Sequence, residues 1–117
     1  MAKMHTVCHF EWQSTDLQRS QEFYKGLFNW DFRSFGDEMV VFGQGDEHIG
    51  GLTKVDVVKA GSSPSVWIQV ENLEGMCDRA VSLGGTLKSG KSPVPGVGFS
   101  AVVTDLDGNE VGMVEFA

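Results

Sequence analysis

The sequence predicts a mixed α+β fold that consists of two βαβββ units. Two observations support this prediction: a strand-helix-strand-strand-strand pattern occurs twice along the 117 residues, and a shift of 56 residues places the helix start Asp16-Leu17 on Asn72-Leu73. Each unit has one apolar sheet face that its helix can cover. The remaining faces predict a curved, incomplete barrel that closes around a central cavity.

The first unit, residues 5–55, opens with a strand over residues 6–14, where polar and apolar side chains alternate with the period of two that is typical of a half-buried strand. Asp16 then has the position and chemistry of a helix N-cap. The predicted inner stripe of this helix consists of Leu17, Phe23, Tyr24, Leu27 and Phe28. Three strands are expected at 31–35, 38–43 and 48–55, separated by glycine-containing turns.

Residues 56–64 read as a linker to the second unit, residues 65–117, because they contain Gly61-Ser62-Ser63-Pro64. The second unit has a strand over 65–71, a helix that Asn72 caps and Gly84-Gly85 ends, and strands at 86–88, 98–104 and 110–116. Residues 88–99 contain three glycines and two prolines. This stretch is expected to be a loop, either a plain connection or a lid over the cavity.

Composition and charge exclude several classes of function. The net charge is −7 and the nine Lys and Arg residues are scattered, which argues against a nucleic-acid partner. No apolar run approaches the ~20 residues of a membrane span, and the first residues lack the apolar stretch of a secretion signal. A cytoplasmic location is therefore expected, with Cys8 and Cys77 as buried thiols rather than a disulfide.

The chain resembles the vicinal-oxygen-chelate superfamily, which has the glyoxalase and bleomycin-resistance fold, and within it small single-domain proteins related to lactoylglutathione lyase. The resemblance spans essentially the whole chain as one domain. The residues that carry it are His9-Phe10-Glu11-Trp12, the segment from Asp16 to Trp30, Val70-Glu71-Asn72-Leu73, Pro93-Val94-Pro95-Gly96 and Asp105-Leu106-Asp107-Gly108-Asn109-Glu110-Val111-Gly112.

The resemblance implies four inward-pointing metal ligands, one on the first and one on the last strand of each unit. Carried over by position, they fall on His9, Gly50, Ser65 and Gly112. Only His9 is a usual ligand for a divalent ion. The departure from the family pattern therefore predicts that no metal cofactor occupies the inherited position and casts doubt on glyoxalase-type catalysis.

Strand alternation from His9 predicts the inner wall of the cavity. A ring that can stack on a planar ligand, Trp67, would lie there with a few polar groups, and Glu11 would supply negative charge. This combination favours a neutral or cationic aromatic compound. Burial of Trp67 in the core and a purely structural His9 are the competing interpretations. The predicted ligand-binding residues are His9, Glu11, Gln13, His48, Gly50, Leu52, Trp67, Gln69, Glu110 and Gly112.

Three functions remain open. The preferred one is a protein that binds or sequesters such a compound without metal catalysis. The first alternative is a metal-dependent lyase, isomerase or dioxygenase with a shifted divalent-metal site near His9, formed with Glu11, His48 and Glu110. The second is a dimeric interaction module. A homodimer is expected in any case, with the contact near strands 6–14 and 65–71, because exposed sheet edges are usually paired or covered.

Overall fold

The computed structural model describes residues 3–59, 61 and 63–117, and it contains the predicted order of elements twice. Ala60 and Ser62 of the predicted linker lie outside the described residues, as do Met1 and Ala2. The elements are β1 (Val7–Ser14), α1 (Leu17–Phe28), β2 (Asp31–Ser34), β3 (Met39–Gln44) and β4 (Glu47–Lys54), then β5 (Ser65–Gln69), α2 (Leu73–Ser82), β6 (Thr86–Val94), β7 (Gly98–Thr104) and β8 (Glu110–Phe116). The predicted α+β fold of two βαβββ units is confirmed.

The described chain forms two compact units, Cys8–Ser65 and Val66–Ala117, and residues 3–7 belong with the second. Within unit one the strand order is β2-β3-β4-β1, and within unit two it is β5-β8-β7-β6. The first and last strands of each unit pair in parallel, and the other described pairs are antiparallel. A parallel pair needs a long crossover connection, which the helix and hairpin of each unit provide.

Both helix starts are capped as predicted. The Asp16 carboxylate accepts a hydrogen bond from the backbone N–H of Arg19, and the Asn72 side chain accepts one from the N–H of Gly75. Each cap satisfies one of the backbone donors that a helix start leaves without a partner inside the helix. The two caps are equivalent in structure and lie 56 residues apart, as the sequence predicts.

The core of unit one forms between α1 and one face of its sheet. Val40, Phe42 and Leu52 are buried there, with the Tyr24 ring stacked on the Trp12 ring at a centroid distance of 4.8 Å. The prediction of the helix stripe was too wide, because Phe23, Leu27 and Phe28 are 60%, 59% and 48% exposed. A helix presents only part of its circumference to one sheet, so these three apolar side chains fall outside the contact that Leu17 and Tyr24 make.

The core of unit two lies between α2 and its sheet. Its buried residues are Val70, Leu73, Cys77, Ala101, Val103 and Met113. Cys77 is buried as expected, whereas Cys8 is half-buried, and neither forms a disulfide. Burial raises the pKa of each thiol above its ordinary value, and Asp78 and Glu74 add to this at Cys77.

The prediction that residues 88–99 form a loop was wrong. Strand β6 continues to Val94 and pairs with β7 through Ser92 opposite Ser100 and Val94 opposite Gly98. Two register shifts along β6 absorb the irregular sequence. Pro93 is tolerated because β6 is the last strand in the order of unit two, where one row of backbone groups needs no partner strand. The segment is a hairpin rather than a lid.

Neither described helix is long and apolar enough to cross a membrane.

Candidate functional site

The polar residues predicted on β1 lie on the face of the unit-one sheet that α1 leaves uncovered, called here the helix-free face. Strand pairing places Trp12 beside Leu52, and both belong to the core beneath α1. The neighbouring pair, Glu11 beside Gly51, therefore faces the other way, because side chains alternate along a strand. Gln13, beside Thr53, shares this face and is half-buried.

Four side chains on this face form a hydrogen-bonded chain. His48 Nε2 is 2.7 Å from His9 Nδ1, and His9 Nε2 is 3.0 Å from Glu11 Oε1. The second carboxylate oxygen of Glu11 accepts a hydrogen bond of 2.9 Å from the Thr53 hydroxyl. Both ring nitrogens of His9 and both oxygens of Glu11 are thus engaged, which holds the His9 ring in one orientation.

The chain also defines where the protons lie. An ionised carboxylate only accepts hydrogen bonds, so His9 Nε2 must carry the proton that it shares with Glu11. In the second contact, between His9 Nδ1 and His48 Nε2, one nitrogen donates and the other accepts. The ring planes are within 10° of parallel with centroids 4.9 Å apart. With a nitrogen–nitrogen distance of 2.7 Å, this geometry means that the rings meet edge to edge rather than face to face.

The surroundings of the chain shift two pKa values downward. Burial raises the pKa of Glu11, but the hydrogen bonds from His9 and Thr53 and the charge of His9 outweigh burial, so the pKa lies below its ordinary value. Burial lowers the pKa of His48, and the positive charges of His9 and Arg33 lower it further. The two shifts favour the ionised form of Glu11 and the uncharged form of His48.

The prediction of which β4 residues share a sheet face with His48 must be corrected at two positions. Alternation from His48 predicts Gly50 and Leu52 on the same face, but Leu52 is buried in the core beneath α1, and a Cβ at Gly50 would meet the Phe10 carbonyl and Phe42 Cζ. A β-bulge between β3 and β4 inserts one extra residue on β4, since Phe42 pairs with Gly50 and Gly43 with His48. The bulge shifts the alternation by one residue, so Gly51 lies under the His9 ring instead.

Unit two has the same arrangement with different chemistry. Trp67 pairs with Gly112, and Gln69 pairs with Val114. These residues lie on the helix-free face of the unit-two sheet, because the alternate residues Val70 and Met113 belong to the core beneath α2. The six-membered part of the Trp67 indole fills the space where a side chain at Gly112 would begin. Gln69 is buried, and its Oε1 atom has no hydrogen-bond partner.

Glu110, the remaining predicted residue, begins β8 on an exposed part of unit two. Its carboxylate forms an ion pair with the ammonium group of Lys88. More than half of each side chain is exposed, so water screens this pair and its contribution to stability is small. Sequence analysis missed both Lys88 and Thr53. Once Gly51 is assigned to the helix-free face, alternation assigns Thr53 to the same face, because Thr53 is two residues further along β4.

The donor set does not fit the metal of the resembling family. The register places Gly51 beside Glu11 in the same way as Gly112 is beside Trp67, so both last-strand positions lack a side chain. Ser65 takes the place of the second first-strand ligand, and both nitrogens of His9 are already engaged. Among the described residues there is no group of three or more His, Cys, Asp or Glu side chains that is placed to hold a metal ion.

Each unit contains a concave feature. A cleft of 140 Å³ next to the bulge of unit one is lined by His48 together with Arg33 and Glu47. Its volume is below the ~300–1,000 Å³ of typical ligand pockets. An apolar cavity of 290 Å³ in unit two lies between the end of α2 and β7, lined by Leu83, Val103 and Leu106. The predicted residues of unit two do not line it.

Solved structures share this fold over nearly the whole chain. A hypothetical protein from Bacillus halodurans superposes with a TM-score of 0.78 at 13% identity, covering 98% of this chain and 96% of that protein. Methylmalonyl-CoA epimerase from Mycobacterium tuberculosis gives a TM-score of 0.71 at 16% identity, covering 100% and 93%.

A further similar structure is the Mn(II)-bound glyoxalase from Novosphingobium aromaticivorans, with a TM-score of 0.71 at 13% identity; the match covers 98% of this chain and 40% of the glyoxalase. At these low identities the likeness shows the fold alone.

Sequence comparison identifies a family for this chain but no individual curated relative. No curated protein matches the sequence significantly. The profile of one family, described as the Glyoxalase/Bleomycin resistance protein/Dioxygenase superfamily, matches residues 6–113. The match covers both units, including the two first strands and the two capped helices. The chain belongs to the Glyoxalase/Bleomycin resistance protein/Dioxygenase superfamily.

Proposed function

We propose that this protein binds a small neutral or cationic aromatic compound and acts by binding or sequestering it, without metal catalysis. The observation that carries the proposal is the hydrogen-bonded chain of His48, His9, Glu11 and Thr53. His9 is the one residue of this chain that matches the family's pattern of metal ligands. Its neighbours hold it in an orientation that serves hydrogen bonding. Glycine at 51 and 112 leaves no side chain to bind a metal at the two last-strand positions.

The remaining groups on the helix-free faces support a binding role. Glu11 provides a negative charge, and Trp67 provides an aromatic surface that is partly exposed. A few fixed polar groups beside an aromatic side chain are typical of sites that bind small organic molecules. The negative charge disfavours anionic compounds, because their approach to Glu11 would be repulsive.

The proposal extends to the cellular location. Neither cysteine forms a disulfide, which suits the reducing cytoplasm. The alternative functions are less well supported. Glu110, one of the four residues of the shifted metal site, is paired with Lys88, and the contacts with Glu11 and His48 engage both ring nitrogens of His9.

Thermal denaturation in the presence of a compound panel tests the proposal. Neutral, cationic and anionic planar aromatic compounds of similar size are compared at equal concentrations. A compound present at 100 times its Kd adds about 2.7 kcal/mol to the free energy of unfolding and raises the Tm. We expect neutral and cationic members to raise the Tm and anionic members to leave it unchanged.

Two variants make this experiment specific. Glu11→Gln should reduce the shift caused by cationic compounds and retain that caused by neutral ones. Glu22→Gln, an exposed position on α1, is the matched control and should leave both shifts unchanged. A panel without any stabilising compound, or stabilisation that requires added divalent metal, would contradict the proposal.

A further inference from the structure

Gln69 contains a buried hydrogen-bond acceptor that the protein itself does not use. This residue is 6% exposed and lies at the end of β5 in unit two. Among the residues that the structure describes, its Oε1 atom is the one buried side-chain polar atom without a hydrogen-bond partner. Leaving such an atom without a partner costs free energy, so an unpaired buried acceptor in a folded protein calls for a specific explanation.

The position of Gln69 on β5 places this acceptor beside an aromatic ring. Trp67 precedes it by two residues, so the two side chains emerge from the same face about 7 Å apart along the strand. That face is the helix-free face of unit two, away from Val70 and Met113 in the core. The backbone of Gln69 is already paired, since its N–H donates to Thr6 and its carbonyl accepts from His5. Only the side-chain oxygen needs a donor.

Glycine at position 112 explains how the ring is held. A side chain there would collide with the Trp67 indole, three atoms of which lie within 2.9 Å of the position of a Cβ. The indole can therefore lie flat across the backbone of β8. A ring supported on one face by backbone is rigid, and a rigid ring loses little conformational entropy when a planar molecule packs on it.

We propose that Trp67 and Gln69 form a subsite for a planar aromatic group that bears an N–H donor at its edge, such as a carboxamide or a ring N–H. The aromatic group packs on the indole, and its N–H donates to Gln69 Oε1. This inference deepens the proposed function and rests on it, because it names the recognition chemistry within the class of neutral or cationic aromatic compounds. A ligand with only acceptors at that edge would leave the Gln69 oxygen unpaired.

Two probes that differ in one group test the proposal. Benzamide and acetophenone have the same ring and carbonyl, but benzamide carries NH₂ where acetophenone carries CH₃. Each is titrated into the uniformly ¹⁵N-labelled full chain while the Trp67 indole N–H and the Gln69 side-chain amide are followed by NMR. We expect both signals to shift with benzamide and benzamide to bind about fivefold more tightly, since one neutral hydrogen bond contributes modestly to affinity.

Three variants identify the groups responsible. Gln69→Met keeps the volume and removes the acceptor, so both probes should bind equally. Trp67→Leu should weaken both probes by about tenfold, because the stacking surface is lost. Gln44→Met, at an exposed position on β3, is the matched control and should retain the fivefold preference.

A stability measurement separates this role from a structural one. If Gln69 is an unpaired acceptor that serves a ligand, Gln69→Met should raise the Tm of the protein without ligand, because the unsatisfied atom is removed. A loss of stability would show that the oxygen has a structural partner and would overturn the inference.

The outcomes also distinguish this inference from the proposed function. Equal or stronger binding of acetophenone, or an unchanged preference in Gln69→Met, overturns the subsite and leaves a binding protein. Binding of other aromatic compounds without any shift at Trp67 or Gln69 does the same. If no aromatic compound in the panel shifts any signal, both the subsite and the proposed function are wrong.

Discussion

Two adjacent glycines on β4 have opposite roles because they face opposite sides of the unit-one sheet. Gly50 packs into the core, where a Cβ would meet the Phe10 carbonyl and lie 3.1 Å from Phe42 Cζ. Gly51 lies on the helix-free face, where a Cβ would be 3.2 Å from His9 Cε1 and 3.3 Å from the Val40 carbonyl oxygen, much further than the 2.3 Å between a Cβ at Gly50 and the Phe10 carbonyl oxygen. A backbone carbonyl cannot move without disturbing the sheet, whereas a side chain can shift by a few tenths of an ångström.

Alanine substitutions should therefore separate the two glycines. We expect Gly50→Ala to lower the free energy of unfolding by about 2–3 kcal/mol through overpacking, and Gly51→Ala to lower it by less than about 1 kcal/mol. Urea denaturation with a common m-value measures the difference. A larger loss for Gly51→Ala would show that the two faces are assigned the wrong way round.

The shifted pKa values of His48 and Glu11 predict how stability depends on pH. Each group has a folded-state pKa below its unfolded value, so the unfolded chain binds more protons and stability rises with pH. The contribution of His48 is present above its ordinary pKa of 6.5 and is lost as pH falls through the folded value. The contribution of Glu11 is lost in the same way below 4.5.

Denaturation across the pH range tests this assignment. His48→Gln should flatten the loss of stability that begins below pH 6.5, and Glu11→Gln should flatten the loss that begins below pH 4.5. His5→Gln changes an exposed histidine and serves as the control. If His48→Gln retains the full slope in its window, the hydrogen-bonded environment described for His48 is incorrect.

At the level of elements, the two helices begin with equivalent caps of different residue types. Asp16 Oδ1 accepts from the Arg19 N–H at 3.1 Å, and Asn72 Oδ1 accepts from the Gly75 N–H at 3.2 Å. We expect Asp16→Ala and Asn72→Ala each to cost about 1 kcal/mol of stability. Thr15→Ala removes only an exposed contact with the Arg19 guanidinium and should cost less than about 0.5 kcal/mol.

Thermal or urea denaturation of the three variants provides the measurement. Equal, small effects in all three would mean that the caps contribute no more than ordinary surface contacts.

The β6–β7 hairpin and the exposed side of α1 differ from the caps, because the periodicity of the sequence alone did not predict them. Pairing with β7 extends β6 through a glycine and a proline, and the width of the sheet limits how much of α1 is covered.

For the whole molecule, the first prediction concerns metal content. Protein purified without a chelator should contain divalent metal well below one ion per chain, and EDTA should leave the Tm unchanged. The physical reason is that His9 is engaged at both nitrogens, while Gly51 and Gly112 offer no ligand atoms. Elemental analysis with a Tm measurement before and after chelation decides this. One tightly held ion per chain would contradict it.

The second whole-molecule prediction is a homodimer with its contact near the first strand of each unit. Val7 on β1 and Val66 on β5 are 56% and 39% exposed, so both offer apolar surface that a partner chain would cover. Sedimentation at micromolar concentration should show a dimer, and Val7→Glu or Val66→Glu should weaken it. Leu106→Glu, at a 76% exposed position in a turn, is the control. A monomer throughout would refute the prediction.

The sequence by itself determined the repeated order of elements, both helix caps and the positions of β7 and β8. These features depend on local chemistry: a capping side chain needs only the next three residues, and alternation needs only its own strand. The resemblance to the family rests on the repeat together with short runs of residues such as His9-Phe10-Glu11-Trp12.

Only the tertiary structure decided which residues face one another. The bulge that moves Gly51 and Thr53 onto the face of His9, and Leu52 into the core, arises from pairing between β3 and β4. The chain from His48 to Thr53 joins residues that are 39 and 42 positions apart, and the unpaired oxygen of Gln69 follows from burial. Side-chain facing has a period of two, so a single inserted residue reverses it, and that insertion is defined by the partner strand rather than by the strand's own sequence.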